Sequence, residues 1–154
     1  MGKLILILLI CVNTYAISVK ERKFLDIIAY AEGTNEKYNI TYCYKTFNSY
    51  DRHPKTVVCC SGYCSSAAGR YQFLYRTWSE LSNKYGFKDF TPETQDKAAI
   101  KLVKSKFVEP DNISTYSSFK EAIYKLNKVW ASFEGSQYGQ RTRTVDQLWR
   151  KWNE

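Results

Sequence analysis

Apolar residues recur at helical spacing after position 23, where Phe24, Leu25 and Ile28 share one face. Ser18 and Glu21 precede them at the spacing of a capping box, and Gly33 follows as a natural stop. The pattern predicts a helix from about residue 18 to Glu32. Thr77 and Glu80 repeat the capping pair, opening a segment with Trp78 and Leu81 that ends at Gly86. Thr91-Pro92 starts a third helix, since proline at the first helical position gives up no needed hydrogen bond. Ala98, Ala99, Leu102 and Val103 form its buried stripe. Ser118 and Glu121 predict the cap of a fourth, carrying Ile123, Leu126, Val129 and Trp130. Thr144 caps a short last helix, VDQLWRKWNE, with Trp149 and Trp152 as core anchors.

Between Asn35 and Gly69 the period changes. YNITYCYKTFNSYDRHP is rich in tyrosine and threonine, partly alternating, and broken by turn formers. The expected architecture is helical, with a small β-rich lobe inserted after the first long helix. A cleft between lobe and helices is the natural place for a site, and Glu32, at the hinge, faces it.

The N-terminus changes the picture. MGKLILILLICVNTYA has a positive start, a short apolar core and small residues at its end. That is the pattern of a cleaved signal peptide over residues 1–16, favoured here over a retained anchor because the run falls short of about 20 apolar residues. Residues 17–154 then form one exported domain. Lys3 and Cys11 leave with the leader, so the formal charge of +8 becomes +7. Cys43, Cys59, Cys60 and Cys64 remain. An even count in an exported chain reads as two disulfides. A Cys59–Cys60 bridge is disfavoured because adjacent α-carbons lie too close. Cys43 thus joins one of the vicinal pair and Cys64 the other, and which is left open. A zinc site using His53 is the weaker rival.

Glu32 ends its helix where backbone carbonyls already carry partial negative charge. Alanine and tyrosine neighbours offer few hydrogen-bond donors. Such a site raises a carboxyl's pKa, as a general acid working near neutrality requires, although a merely solvated glutamate fits the position too. His53, the only histidine, precedes Pro54 in a turn and reads as structural or substrate-adjacent. There is no phosphate-binding or dinucleotide glycine fingerprint. Basic residues are scattered rather than clustered, which argues against nucleic acid as the partner.

Several stretches, taken in order, resemble the endolysins of the bacteriophage lambda type. ERKFLDIIAYAEGT resembles the family's opening helix; Tyr38, Phe47, Tyr50 and His53-Pro54 keep its spacing; SSAAGRYQFL carries its glycine-arginine-tyrosine-glutamine signature. FKDFTPETQDKAAI, VWAS and YGQ complete a series spanning nearly all of residues 17–154. The resemblance implies an α+β, lysozyme-like fold and a lytic transglycosylase acting on bacterial peptidoglycan, without metal or other cofactor and as a monomer. It implies that Glu32 is the catalytic acid and base, leaving 1,6-anhydromuramic ends. Ser66, Tyr71, Gln72 and Tyr138 are the expected glycan contacts. For Arg70 an internal ion pair and a contact with a muramyl or stem-peptide carboxylate are both open, while Trp78 and Trp130 are expected in the core.

The chain departs from the family pattern at Cys43-Tyr44, where the family generally has two glycines, and in VVCCSGYC. Two other readings remain. One is a hydrolytic muramidase in which Asp51 assists Glu32. The other is a cationic wall-binding antimicrobial protein without catalysis. Export implies a secreted or periplasmic location with no stable membrane association after leader cleavage. Asn39-Ile40-Thr41 and Asn112-Ile113-Ser114 are glycosylation sequons only in a eukaryotic host.

Overall fold

Every predicted helix forms, and the differences lie at their ends. The computed structural model describes residues 16–154, so all but the last residue of the expected leader lies outside the described residues. Helix α1 (Val19–Glu32) opens with the predicted box: Glu21 N donates to Ser18 Oγ at 3.0 Å, and Ser18 N donates to Glu21 Oε2 at 2.9 Å. It closes on Gly33, whose φ of 72° is in the left-handed region where a side chain is strained.

Helix α2 (Tyr75–Tyr85) starts two residues before Thr77. Its cap position, Leu74, has no side-chain acceptor to offer, and Ser66 Oγ from the lobe accepts from Tyr75 N at 3.1 Å. A cap supplied from nine residues away leaves no local signature. Helix α3 (Pro92–Lys104) begins as predicted, with Thr91 capping and Pro92 first. Helix α4 (Tyr116–Leu126) is capped by Thr115, and Ser118 is the reciprocal partner rather than the cap. The helix ends at Leu126, so Val129 and Trp130 sit beyond it, on a segment that crosses to the cleft. Helix α5 (Val145–Trp152) carries the expected Thr144 cap.

These helices bury one core. Phe24, Leu25, Ile27 and Ile28 of α1 are fully covered, each worth about 1.5–3 kcal/mol relative to exposure. Phe24 meets the rings of Phe119 and Trp152 edge-on, at centroid distances of 6.4 and 6.2 Å. Trp78 and Trp130 are buried, as the pattern predicts. His53 is buried too. It lies beside Trp78 and Phe90, its Nε2 is 2.8 Å from the Phe73 carbonyl and its Nδ1 accepts from Lys55 N. That is a structural histidine.

The lobe is thin. Strands β1 (Val58–Cys60) and β2 (Tyr63–Ser65) pair antiparallel through a two-residue turn, Ser61-Gly62, both with positive φ. This is the geometry that matches a hairpin's twist. The α+β expectation holds. The disulfides resolve the open pairing as Cys43–Cys60 and Cys59–Cys64. Cys43 and Tyr44 each have φ of 58°, the left-handed region that glycine occupies without penalty. Cys43 is cross-linked to Cys60 within that turn.

A stability prediction follows from the two loop lengths. Cys43–Cys60 spans 17 positions and Cys59–Cys64 spans 5, so loop-closure entropy gives them about 3 and about 2 kcal/mol. Melting the two paired-serine variants should show the larger loss when Cys43 and Cys60 are replaced. Equal losses would mean that the lobe is held by other contacts.

Candidate active site

A cavity of about 650 Å³ opens between the lobe and the helices, within the usual size of a ligand site. The end of α1 reaches it with Glu32 and Gly33. Tyr42, Tyr44, Tyr63 and Gln72 line the lobe side, and residues 128–132 and 138–143 line the opposite side. Among its described lining residues Glu32 is the only carboxylate.

Glu32 is partly exposed to the cleft, but its carboxyl sits low among protein atoms. Burial pushes its pKa from the ordinary 4.5 to about 7, against a hydrogen bond from Ser132 that favours the charged form. Ser132 Oγ donates to Glu32 Oε1 at 2.6 Å, and no basic residue occupies the last turn of α1. The carboxyl is oriented by a neutral hydroxyl, and none of the ion pairs among the described residues involves it. It can hold a proton near neutrality and take one back.

The signature at 69–72 works mostly behind the cleft. Gly69 has φ of 80°, and a Cβ there would overlap the Gln95 amide oxygen and come 2.8 Å from the Phe90 ring. The close approach lets buried Gln95 serve as a junction: Oε1 accepts from Arg70 N, and Nε2 donates to the Tyr38 and Phe90 carbonyls. Arg70 is 1% exposed. Its guanidinium bonds Asp26 at 2.8 Å, Glu36 at 2.9 Å, the Asn35 carbonyl at 2.7 Å and the Tyr71 hydroxyl at 3.1 Å. Of the two open roles, the ion pair is the one realised.

Tyr71, expected as a glycan contact, lies away from the cleft. It is fully buried, donates to Asp96 at 2.5 Å, and does not line the cleft, so it has no face for a sugar. Burial, reinforced by the Asp96 charge, pushes its phenol well above the ordinary range. Ser66 does not line the cavity either; it caps α2. Gln72 and Tyr138 do line it. Gln72 stands in the left-handed region at φ 48°, its Nε2 donating to the Gly69 carbonyl at 2.9 Å. Asp51 is exposed and lies outside the cavity lining.

Tertiary structure adds residues that periodicity does not single out. Ser132 lies in the VWAS stretch but carries no local mark of its contact with a residue 100 positions away. Tyr42, Tyr44, Lys128, Arg141 and Arg143 also join the lining. Among the described residues no cluster of histidine, cysteine, aspartate or glutamate could hold a metal ion. All four cysteines of the rival zinc reading are in disulfides. No described helix is long and apolar enough to cross a membrane.

A family model for endolysins matches residues 22–154. The chain belongs to the endolysin family. The endolysin of Escherichia phage lambda is 32% identical over 147 residues, covering 90% of this chain and 92% of that protein. The endolysin of Escherichia phage P2 is 31% identical over 147 residues, covering 84% and 88%. Bacteriophage lambda lysozyme complexed with a chitohexasaccharide matches with a TM-score of 0.83 and 31% identity, over 90% of this chain and 95% of that one. A second lambda lysozyme structure gives a TM-score of 0.77 at 29% identity over the same shares. The endolysin match begins within α1 and runs to the C-terminus, so it includes Glu32, the lobe and both sides of the cleft.

Proposed function

We propose that this member of the endolysin family lyses bacterial walls as a lytic transglycosylase, with Glu32 as both acid and base. Its relatives' descriptions as endolysins and lysozymes, one of them in complex with a chitohexasaccharide, support an enzyme acting on peptidoglycan. The finer reading rests on one observation: among the described residues lining the cleft, Glu32 is the lone carboxylate. Two-carboxylate glycoside hydrolysis needs a second acid facing the same bond. Asp51, the obvious candidate, is exposed and outside the lining.

One group can serve if the substrate supplies the nucleophile. Protonated Glu32 gives its proton to the glycosidic oxygen as the bond from muramic C1 to that oxygen breaks. The departing N-acetylglucosamine keeps the proton as its 4-hydroxyl. The muramyl O6 then bonds to C1, and ionised Glu32 takes the O6 proton, which restores the starting acid. No water is consumed. A pKa of about 7 suits both halves of that cycle, because each form of the carboxyl is accessible near neutrality. The Ser132 hydroxyl holds the carboxyl in place while the proton moves.

Mass analysis of sugar ends from digested wall tests the assignment. Transglycosylation should leave muramic ends lighter by one water than hydrolysis does. Reducing muramic acid as the sole product would overturn the transglycosylase reading and leave a muramidase.

A further inference from the structure

Arg70, for which the sequence leaves an internal ion pair and a substrate carboxylate both open, is committed to internal ion pairs, yet among the described residues three other cations line the cleft. Lys128, Arg141 and Arg143 line the side that faces the lobe. Among the described residues none of the three forms an ion pair, whereas Arg22, Arg70, Arg76, Lys97, Lys104, Lys125 and Lys151 all do. Arg143 is also held in place. Its guanidinium lies 4.7 Å from the centre of the Tyr30 ring, on the last turn of α1. Its backbone N donates to the carbonyl of Ser132 at 2.7 Å, and Ser132 is the residue that bonds Glu32. A planar donor fork stacked on an aromatic ring and lacking a carboxylate is prepared for one.

We infer that Arg143, with Arg141 and Lys128, forms a carboxylate-binding subsite on the cleft wall that selects acidic glycan strands over neutral chitin-like ones. The inference rests on the peptidoglycan reading above and deepens it. Chitin-like chains carry N-acetyl groups but no acid. Peptidoglycan strands carry carboxylates, either on muramyl lactyl groups where the strand is bare or on stem peptides where it is substituted. The subsite recognises that shared chemistry. It places the strand's charge beside Arg143 and its glycosidic bond toward Glu32.

The test measures binding in the Glu32→Gln protein, so that turnover does not interfere. Three probes are compared: chitohexasaccharide, peptide-free glycan strands and peptide-bearing strands. The host should prefer an acidic probe, and added salt should erode that preference. Adding Arg143→Gln should lower the acidic-to-neutral preference about tenfold, as loss of a charge-assisted hydrogen bond does. Arg141→Gln should lower it further, while Arg143→Lys should keep part of it. Loss confined to peptide-free strands assigns the lactyl carboxylate; loss confined to peptide-bearing strands assigns the stem. Equal weakening toward all three probes, or a host without preference, overturns the subsite. Preference retained in a protein whose wild type yields only reducing ends leaves the subsite standing and removes the transglycosylase reading instead.

Discussion

Replacing Glu32 with glutamine is expected to abolish wall lysis and, above pH 7, to make the fold more stable. Loss of a positioned general acid and base removes about 10²–10⁴ in rate for each proton transfer it assists, and here one group assists two. The stability effect follows from linkage. Burial raises the folded-state pKa to about 7 from an ordinary 4.5, so between those values the folded protein binds the proton that the unfolded chain has released. Stability contributed by this carboxyl is therefore intact below pH 4.5, falls as pH rises, and is lost once pH passes about 7. Glutamine never ionises and escapes that loss, which amounts to as much as about 3 kcal/mol at pH 8. Thermal melts of both proteins should coincide near pH 4 and separate toward pH 8, with the variant higher. Melts that stay parallel across that range would show that the Glu32 carboxyl is not held protonated by the fold. Wall lysis surviving in the variant would remove Glu32 from the mechanism and favour killing by charge alone.

Arg70→Met carries the second large effect, on stability rather than substrate affinity. Methionine replaces the buried stem but none of the donors, leaving the Asn35 carbonyl and the Tyr71 hydroxyl without this partner. Breaking a buried, hydrogen-bonded charge costs about 3–5 kcal/mol. The lower end is expected here, because Asp26 and especially Glu36 are exposed enough for water to take over their pairing. The damage extends toward the site: the Arg70 carbonyl accepts from Thr34 Oγ1 at 2.5 Å, two residues past Glu32. Urea unfolding should therefore show a large loss. Arg70→Lys should recover only part of it, since an ammonium cannot reproduce the guanidinium fork. If Arg70→Met instead kept its stability and lost affinity for glycan, the arginine would be a substrate contact and the internal network incidental.

The helices were legible because their signals are local. Ser18 with Glu21, Thr91 and Thr144 all lie within one turn of the backbone donors they serve, and Pro92 lacks a donor where none is needed. Misplaced starts occurred where a competing partner stood nearby or came from elsewhere in the chain. Thr115 displaced Ser118 from the cap of α4, and Ser66 relieved α2 of needing a cap at Thr77. The cysteine count implied two bridges, yet pairing depended on a hairpin that sets Cys59 opposite Cys64 and leaves Cys60 to meet Cys43.

The sequence by itself determined the α+β plan, the helix-end position of Glu32 and the ordered motifs that signal the family. All of these depend on spacing along the chain. Only the tertiary structure decided which residues face the cleft. Tyr71 and Gln72 are neighbours in one motif, but one is sealed against Asp96 while the other reaches the cavity. Ser132 and Arg143 meet the end of α1 from more than 99 positions away, so no local pattern records their roles. The depth of the Glu32 carboxyl, and hence its proton affinity, is set by how those distant segments close over it.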